Sequence, residues 1–331
     1  MSFYFCVFHN GGNGCIRGNF MKIAAIQMDA VFADVSANLV KAAMLIEQAK
    51  IAGAQMVIFP EFFTSAIAFS EKMIDVVRHN DSVRVLFKEV AEHKDIIIGG
   101  SLLLFDGYDT HNVFLLFFPN GQVYSHKKDL PTQFENCYYT KGDEMNVLHT
   151  PIGNIGVALC WEMLRYDTVK RMAAKVDLIL AGSCWWDLPE DAPKEKENLR
   201  RYNQRLAAET PVTFARLLKT PVIHSSHCGK ATAPCFPGNG MYQTRQFVGA
   251  AQIIDRNGTV IVKRSFEQGE GIVFAELSWN IASKTPITIN ASKYWIPDLP
   301  EEYIKAWERN NTIGENYYRN IALPLYNKLQ R

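Results

Sequence analysis

The 331-residue chain has no run of 18 apolar residues, no C-x-x-C pair and no block of like charges. The first absence excludes a membrane-spanning helix. Seven cysteines, an odd number thinly spread, are too few to make a disulfide framework at this length. They point instead to a reducing, cytoplasmic setting. Lys plus Arg total 35 against 34 Asp plus Glu, so nothing marks a nucleic-acid arm or an acidic tail, and small molecules or other proteins are the expected partners. With 48% hydrophobic side chains the chain can bury a full core, which excludes disorder as its main theme. The opening "MSFYFCVFHNGGNGCIRGNF" has a short apolar run but neither a basic lead-in nor a small-residue cleavage site. It reads as a weakly ordered extension over 1–20, with a compact domain starting at Met21 and running to 279.

Apolar strands alternate with helical patterns through that domain. "KIAAIQM" reads as a buried strand. Leu39, Ala42, Ala43, Leu45, Ile46 and Ala49 follow at helical spacing, with Asp34 or Ser36 as the cap and Gly53 as the stop. "QMVIFPEFF" is the next strand, 71–94 a helix, and "DIIIGGSLLLF" and "HNVFLLFF" two strands joined through "PNGQ" to "VYSHKK". "GNIGVALC" and "VDLILAG" flank a helix around 165–175, "DLPEDAPKEKE" reads as a surface loop or lid, and a helix covers 194–218. The order predicts an α/β fold with a mixed sheet, or a pair of sheets, covered by helices. From about 280 the periodicity fades, and 280–331 reads as an arm packed on the domain or on a partner subunit.

Three reactive side chains fall at strand ends: Glu61 after "MVIFP", Lys127 after "VYSH" and Cys160 after "IGVAL". In sheet-based enzymes ligands bind beyond one set of strand ends, so these residues can converge in space. A cysteine nucleophile needs a base and a donor for the oxyanion it creates. Glu61 suits the first role and a lysine the second, and the ammonium would also lower the thiol pKa. Taken singly, each has a plainer reading: a cysteine ending a strand is commonly a small buried hydrophobe, and Glu or Lys there is commonly solvated.

The stretches "FPEFF", "HKKDLP…FENCYYTKGD" and "ALCWE", in this order and spacing, resemble the nitrilase superfamily of carbon–nitrogen hydrolases, and the resemblance extends from about Met21 to Phe274. It implies a four-layer αββα sandwich with two mixed sheets, a homodimer or larger homo-oligomer, and no metal or organic cofactor. It also implies a Glu-Lys-Cys triad: Glu61 as base, Cys160 as nucleophile and Lys127 at the oxyanion. "KKDLP" fits the family pattern when read from Lys127, with Lys128 the alternative. Glu135 corresponds to a second glutamate that orders the lysine and substrate, and the Trp161 backbone N–H is placed to serve the oxyanion. The implied activity is hydrolysis of a small amide or carbamoyl compound through a cysteine thioester. A nitrilase and a non-enzymatic scaffold on the same fold are the alternatives.

After the cysteine the chain fits no branch cleanly, since "CWEM" stands where amidases continue F-P-E-like and nitrilases place Asn or His fourth. Trp185 and Trp186 in "GSCWWDLP" are expected either to wall an acyl site or to pack in the core. His224, His227, Cys228 and Cys235 have zinc-ligand chemistry but not zinc-ligand spacing, so no metal is expected there.

Overall fold

The computed structural model describes residues 18–142, 147–234, 241–280 and 292–329. The first half runs β1 (Gly18–Met28), α1 (Val35–Ile51), β2 (Met56–Ile58), α2 (Lys72–Lys94), β3 (Ile97–Phe105), β4 (Thr110–Phe117) and β5 (Val123–Lys127). After a 3-10 turn at Gln133–Cys137 come β6 (Leu148–Thr150) and β7 (Gly153–Leu159). A second 3-10 turn, Cys160–Leu164, leads to α3 (Tyr166–Met172), β8 (Leu178–Ser183), β9 (Trp186–Pro189) and α4 (Glu197–Leu218). β10 (Val222–His227), β11 (Lys230–Pro234), β12 (Tyr242–Phe247), β13 (Gln252–Ile254), β14 (Val260–Lys263) and β15 (Gly271–Asn280) complete the strands. α5 (Glu301–Tyr317) and α6 (Leu323–Leu329), joined by a π-helical turn, close the chain.

Successive side chains on a strand point to opposite faces, and here that alternation sorts the core into three compartments. Ala24, Ile26, Val57, Val113 and Leu115 pack with α1 and α2. Their neighbours Ile23, Ala25, Met56, Ile58, Phe114 and Leu116 face Ile155, Val157, Leu178, Leu180 and Ile223 in a second core. Ala158, Ile179, Ala181 and Val222 turn outward to α3 and α4. The result is helices, sheet, sheet, helices, and strands buried on both faces account for the continuous apolar runs in the sequence. The order β5-β4-β3-β2-β1 forms one layer and β10-β8-β7-β6 the other. They are parts of one ladder, because β1 and β10 pair at Gln27↔Ser226 and Met28↔His227.

Asp34 caps α1, its Oδ1 accepting the Ala37 N–H at 2.9 Å, and Gly53 adopts φ +81° just past the helix end. One boundary differs from expectation. Residues 18–20 belong to β1, which pairs antiparallel with β15 from Gly18↔Asn280 onward, and residues 1–17 lie outside the described chain. α5 and α6 pack on the domain, one of the two placements expected for 280–331: Tyr326 on α6 is buried in the α1/α2 core, its hydroxyl donating to the Tyr138 carbonyl at 3.0 Å. No helix among the described residues is long and apolar enough to cross a membrane.

Candidate active site

Glu61 lies three residues beyond β2, where Pro60 ends the strand. Its carboxylate is fully buried. Oε1 accepts from Asn112 Nδ2 at 2.9 Å and from Lys128 Nζ at 2.9 Å, while Oε2 accepts the Cys184 backbone N–H at 3.1 Å. Gly182 on β8 permits this approach, because a Cβ there would stand 2.8 Å from the Glu61 nitrogen.

Lys128 is the residue directly after β5. Tyr124, His126 and Lys128 share the inward face of that strand, and Tyr124 packs on the core between the sheets. The three N–H donors of the Lys128 ammonium meet three acceptors: Glu61 Oε1 at 2.9 Å, Glu135 Oε2 at 2.7 Å and Thr132 Oγ1 at 3.1 Å. Lys127, the lysine expected from the sequence, is on the opposite face. Its Nζ pairs with Asp106 Oδ2 at 3.1 Å near the surface, so it is not part of the cluster, and Lys128 takes the place assigned to it.

Glu135 sits in the turn Gln133–Cys137, where Thr132 and Glu135 form a capping box. Its Oε2 accepts the Thr132 N–H at 3.0 Å and also the Tyr139 hydroxyl. Two carboxylates therefore share one ammonium away from water. They hold Lys128 well above the usual lysine pKa against the opposing pull of burial. Burial raises the Glu61 carboxyl to about 7, with Lys128 opposing and Glu135 reinforcing the rise.

Cys160 follows the last residue of β7 and takes φ +52°, a left-handed conformation that L-residues rarely adopt. The Trp161 backbone N–H is directed at its sulfur. Burial and the Glu61 carboxylate push the thiol pKa well up, outweighing the Lys128 ammonium. The ammonium lowers the thiol pKa, as the sequence suggested, but burial and the carboxylate outweigh it.

Glu162, to which sequence reasoning gave no role, ties the lysine segment to the cysteine turn. It is fully buried and accepts the Leu159 N–H at 2.7 Å, the Asp129 N–H at 3.1 Å and His126 Nε2–H at 3.1 Å. Arg171 lies at 3.4 Å, and Arg165 grips Asp129 with both terminal nitrogens. One carboxylate thus brackets both Lys128 and Cys160 by their backbones. Glu162→Gln is expected to unpair Arg171 and lose an acceptor, lowering stability by about 3 kcal/mol in urea unfolding. It should also lower kcat by about tenfold or more through misplacement, with KM nearly unchanged in initial-rate assays.

Cys160, Glu135 and Thr132 open onto a cavity of about 320 Å³. Trp185 and Trp186 both line it. Trp185 donates Nε1–H to Asn203 Oδ1 at 2.9 Å, and Trp186 donates to the Ile67 carbonyl at 3.0 Å. Leu188 and Pro189, from the stretch read as a lid, form part of β9 and of the cavity wall. The Trp161 ring turns away from the sheet and stacks on Trp307 of α5 at 5.4 Å and 4°. Of the zinc-like cluster, His224 contacts Ser183 Oγ and the Ala250 carbonyl, and His227 donates Nε2–H to the Glu61 carbonyl at 2.7 Å. Cys235 lies outside the described residues, and among those described no group of three His, Cys, Asp or Glu could hold a metal.

The sequence profile of the carbon–nitrogen hydrolases matches residues 22–286. The chain belongs to the carbon–nitrogen hydrolase family. Nitrilase 2 of Arabidopsis thaliana is 29% identical over 172 residues, covering 45% of this chain and 51% of that protein. The chain thus spans about half the length of the curated relatives it matches. Among solved structures, a carbon–nitrogen hydrolase from Helicobacter pylori G27 superposes with a TM-score of 0.67 at 18% identity, over 94% of this chain and 98% of that one. An amidase from Nesterenkonia sp. AN1, solved with acrylamide added to its active-site cysteine, superposes with a TM-score of 0.60 at 20% identity, over 78% of this chain and 93% of that one. Both share the sandwich fold of this carbon–nitrogen hydrolase family member.

Proposed function

We propose that the protein hydrolyses the carbon–nitrogen bond of a small amide or carbamoyl compound through a thioester on Cys160. The observation that carries this reading is the buried ammonium of Lys128, shared by Glu61 and Glu135, together with a cavity lined by Glu135 and by Cys160 on its left-handed turn. Glu61 takes the thiol proton as sulfur attacks the carbonyl carbon. The oxygen becomes an oxyanion opposite the Trp161 N–H and the Lys128 ammonium. Glu61 returns the proton to the departing nitrogen, the C–N bond breaks, and ammonia or an amine leaves. Water, deprotonated by Glu61, then attacks the thioester; the acid is released and the sulfur regains its proton. Glu135 holds Lys128 in place through both steps.

A second reading is favoured by the nitrilases that the chain resembles over 172 residues. On a nitrile the same thiol would form a thioimidate, and two waters would yield acid and ammonia. A panel of amides, carbamoyl compounds and nitriles separates the two by ammonia release and by the mass of the adduct on Cys160. Neither turnover nor adduct from folded protein would leave only the scaffold reading. Assembly into homodimers belongs to the same proposal and is read by light scattering.

The acid limb of the pH profile follows from Glu61. It must be ionised to accept the thiol proton, and its carboxyl is raised to about 7. kcat/KM should therefore fall about tenfold per unit as pH drops below about 7 and level off above it, measured in initial rates.

A further inference from the structure

The family match ends at residue 286, yet one wall of the cavity is built by α5, at 301–317. Tyr303, Ala306 and Asn310 lie three and four positions apart, on one stripe of that helix, and line the cavity. The helix is fixed firmly. Trp307 stacks on Trp161, Asn136 Nδ2 donates to Asn311 Oδ1 at 2.9 Å, and Asn310 Nδ2 donates to Gln133 Oε1 at 3.3 Å. Gly314 lets α5 touch the turn that carries Glu135, since a Cβ there would stand 2.5 Å from the Asn136 Cβ and 3.1 Å from backbone. The facing wall is equally set. Both indole N–H groups of Trp185 and Trp186 are already hydrogen-bonded to protein, so what these side chains can offer a ligand is apolar ring surface. Phe134 adds another ring.

A volume of about 320 Å³ is on the order of ten waters' share of the liquid. An amide group with a methyl or ethyl tail fills little of that and leaves the ring surfaces wet, whereas an aryl group displaces the water and covers them. We infer that α5 is the specificity wall of this site, with Ala306 setting the room available, and that the acyl group it accommodates is bulky and presents an aromatic or apolar face to Trp185, Trp186 and Phe134, while Arg245 and Glu302 line the cavity as well. The inference rests on the amide-hydrolase reading for its chemistry and on the cavity alone for its shape.

The test compares propanamide with 3-phenylpropanamide in the wild-type protein and in Ala306→Phe. The wild type should favour the aryl amide by about 100-fold or more in kcat/KM, since each added methylene in such a pocket is worth about tenfold or more. Ala306→Phe should lower the aryl value by about tenfold or more and leave propanamide within about threefold. Equal kcat/KM for the two amides in the wild type, or an equal loss on both in the variant, would overturn the inference. Alkylation of Cys160 by iodoacetamide and by N-benzyl-iodoacetamide, followed by peptide mass spectrometry, is a readout that needs no turnover. If neither amide is hydrolysed but Ala306→Phe slows only the benzyl reagent, the wall stands and the amide-hydrolase reading falls. If it slows both equally or neither, the wall falls.

Discussion

Lys128→Met is expected to lower kcat/KM by about 10³-fold or more, while Lys127→Met leaves it within about twofold. In the proposed mechanism the charge of the Lys128 ammonium stabilises the developing oxyanion, and losing one such stabilising group costs about 10²–10³. The substitution also deletes the cation that keeps Glu61 ionised, so the base is protonated at neutral pH and the acid limb moves upward. Two buried carboxylates are then left facing each other, and unfolding in urea should show a loss of about 3–5 kcal/mol. Lys127 loses only a partly exposed contact with Asp106 at 3.1 Å, a kind of pair worth about 1 kcal/mol or less. Similar losses for the two variants would refute the assignment of the ammonium, whatever the substrate.

Cys160→Ala should abolish turnover, a fall of about 10⁴-fold or more, and eliminate the acyl adduct seen by intact-mass measurement. The fold should survive, because the Leu159 N–H bond to Glu162 at 2.7 Å still holds the turn when the contact between the sulfur and the Trp161 N–H is lost. Near-UV circular dichroism of the aromatic stack around Trp161 checks this. Residual turnover within tenfold of wild type would sink the thioester mechanism.

The catalytic reading was partly visible in the sequence. Glu61 and Cys160 follow short apolar strands, and strand ends are where such residues gather. The choice between the two lysines needed the parity of β5, where Tyr124 packs between the sheets with His126 and Lys128 on its face, while Val123 packs on the helix side, so both faces begin apolar. β5 is an edge strand with only a mixed pattern of burial, and the signal in "VYSHKK" is correspondingly faint. The links among Glu162, His126 and Asp129 join positions 33 to 36 residues apart and leave no local pattern. α5 was hidden for another reason. Its buried positions are Trp307, Asn310, Gly314 and Tyr317, correctly spaced for a helix but half of them not apolar, because the helix docks through amide hydrogen bonds and close backbone contact. The segment that walls the cavity was thus the one whose periodicity could not be read.

The ten-residue pairing of β1 with β15 bears on how the protein is made. The strand that covers the open edge of β1, Gly271–Asn280, is synthesised some 250 residues after it. Throughout that interval a long strand with the apolar core "KIAAI" presents unpaired N–H and C=O groups, a template for pairing with another nascent chain. Ribosome-bound intermediates arrested before residue 271 should therefore be the species that chaperones engage.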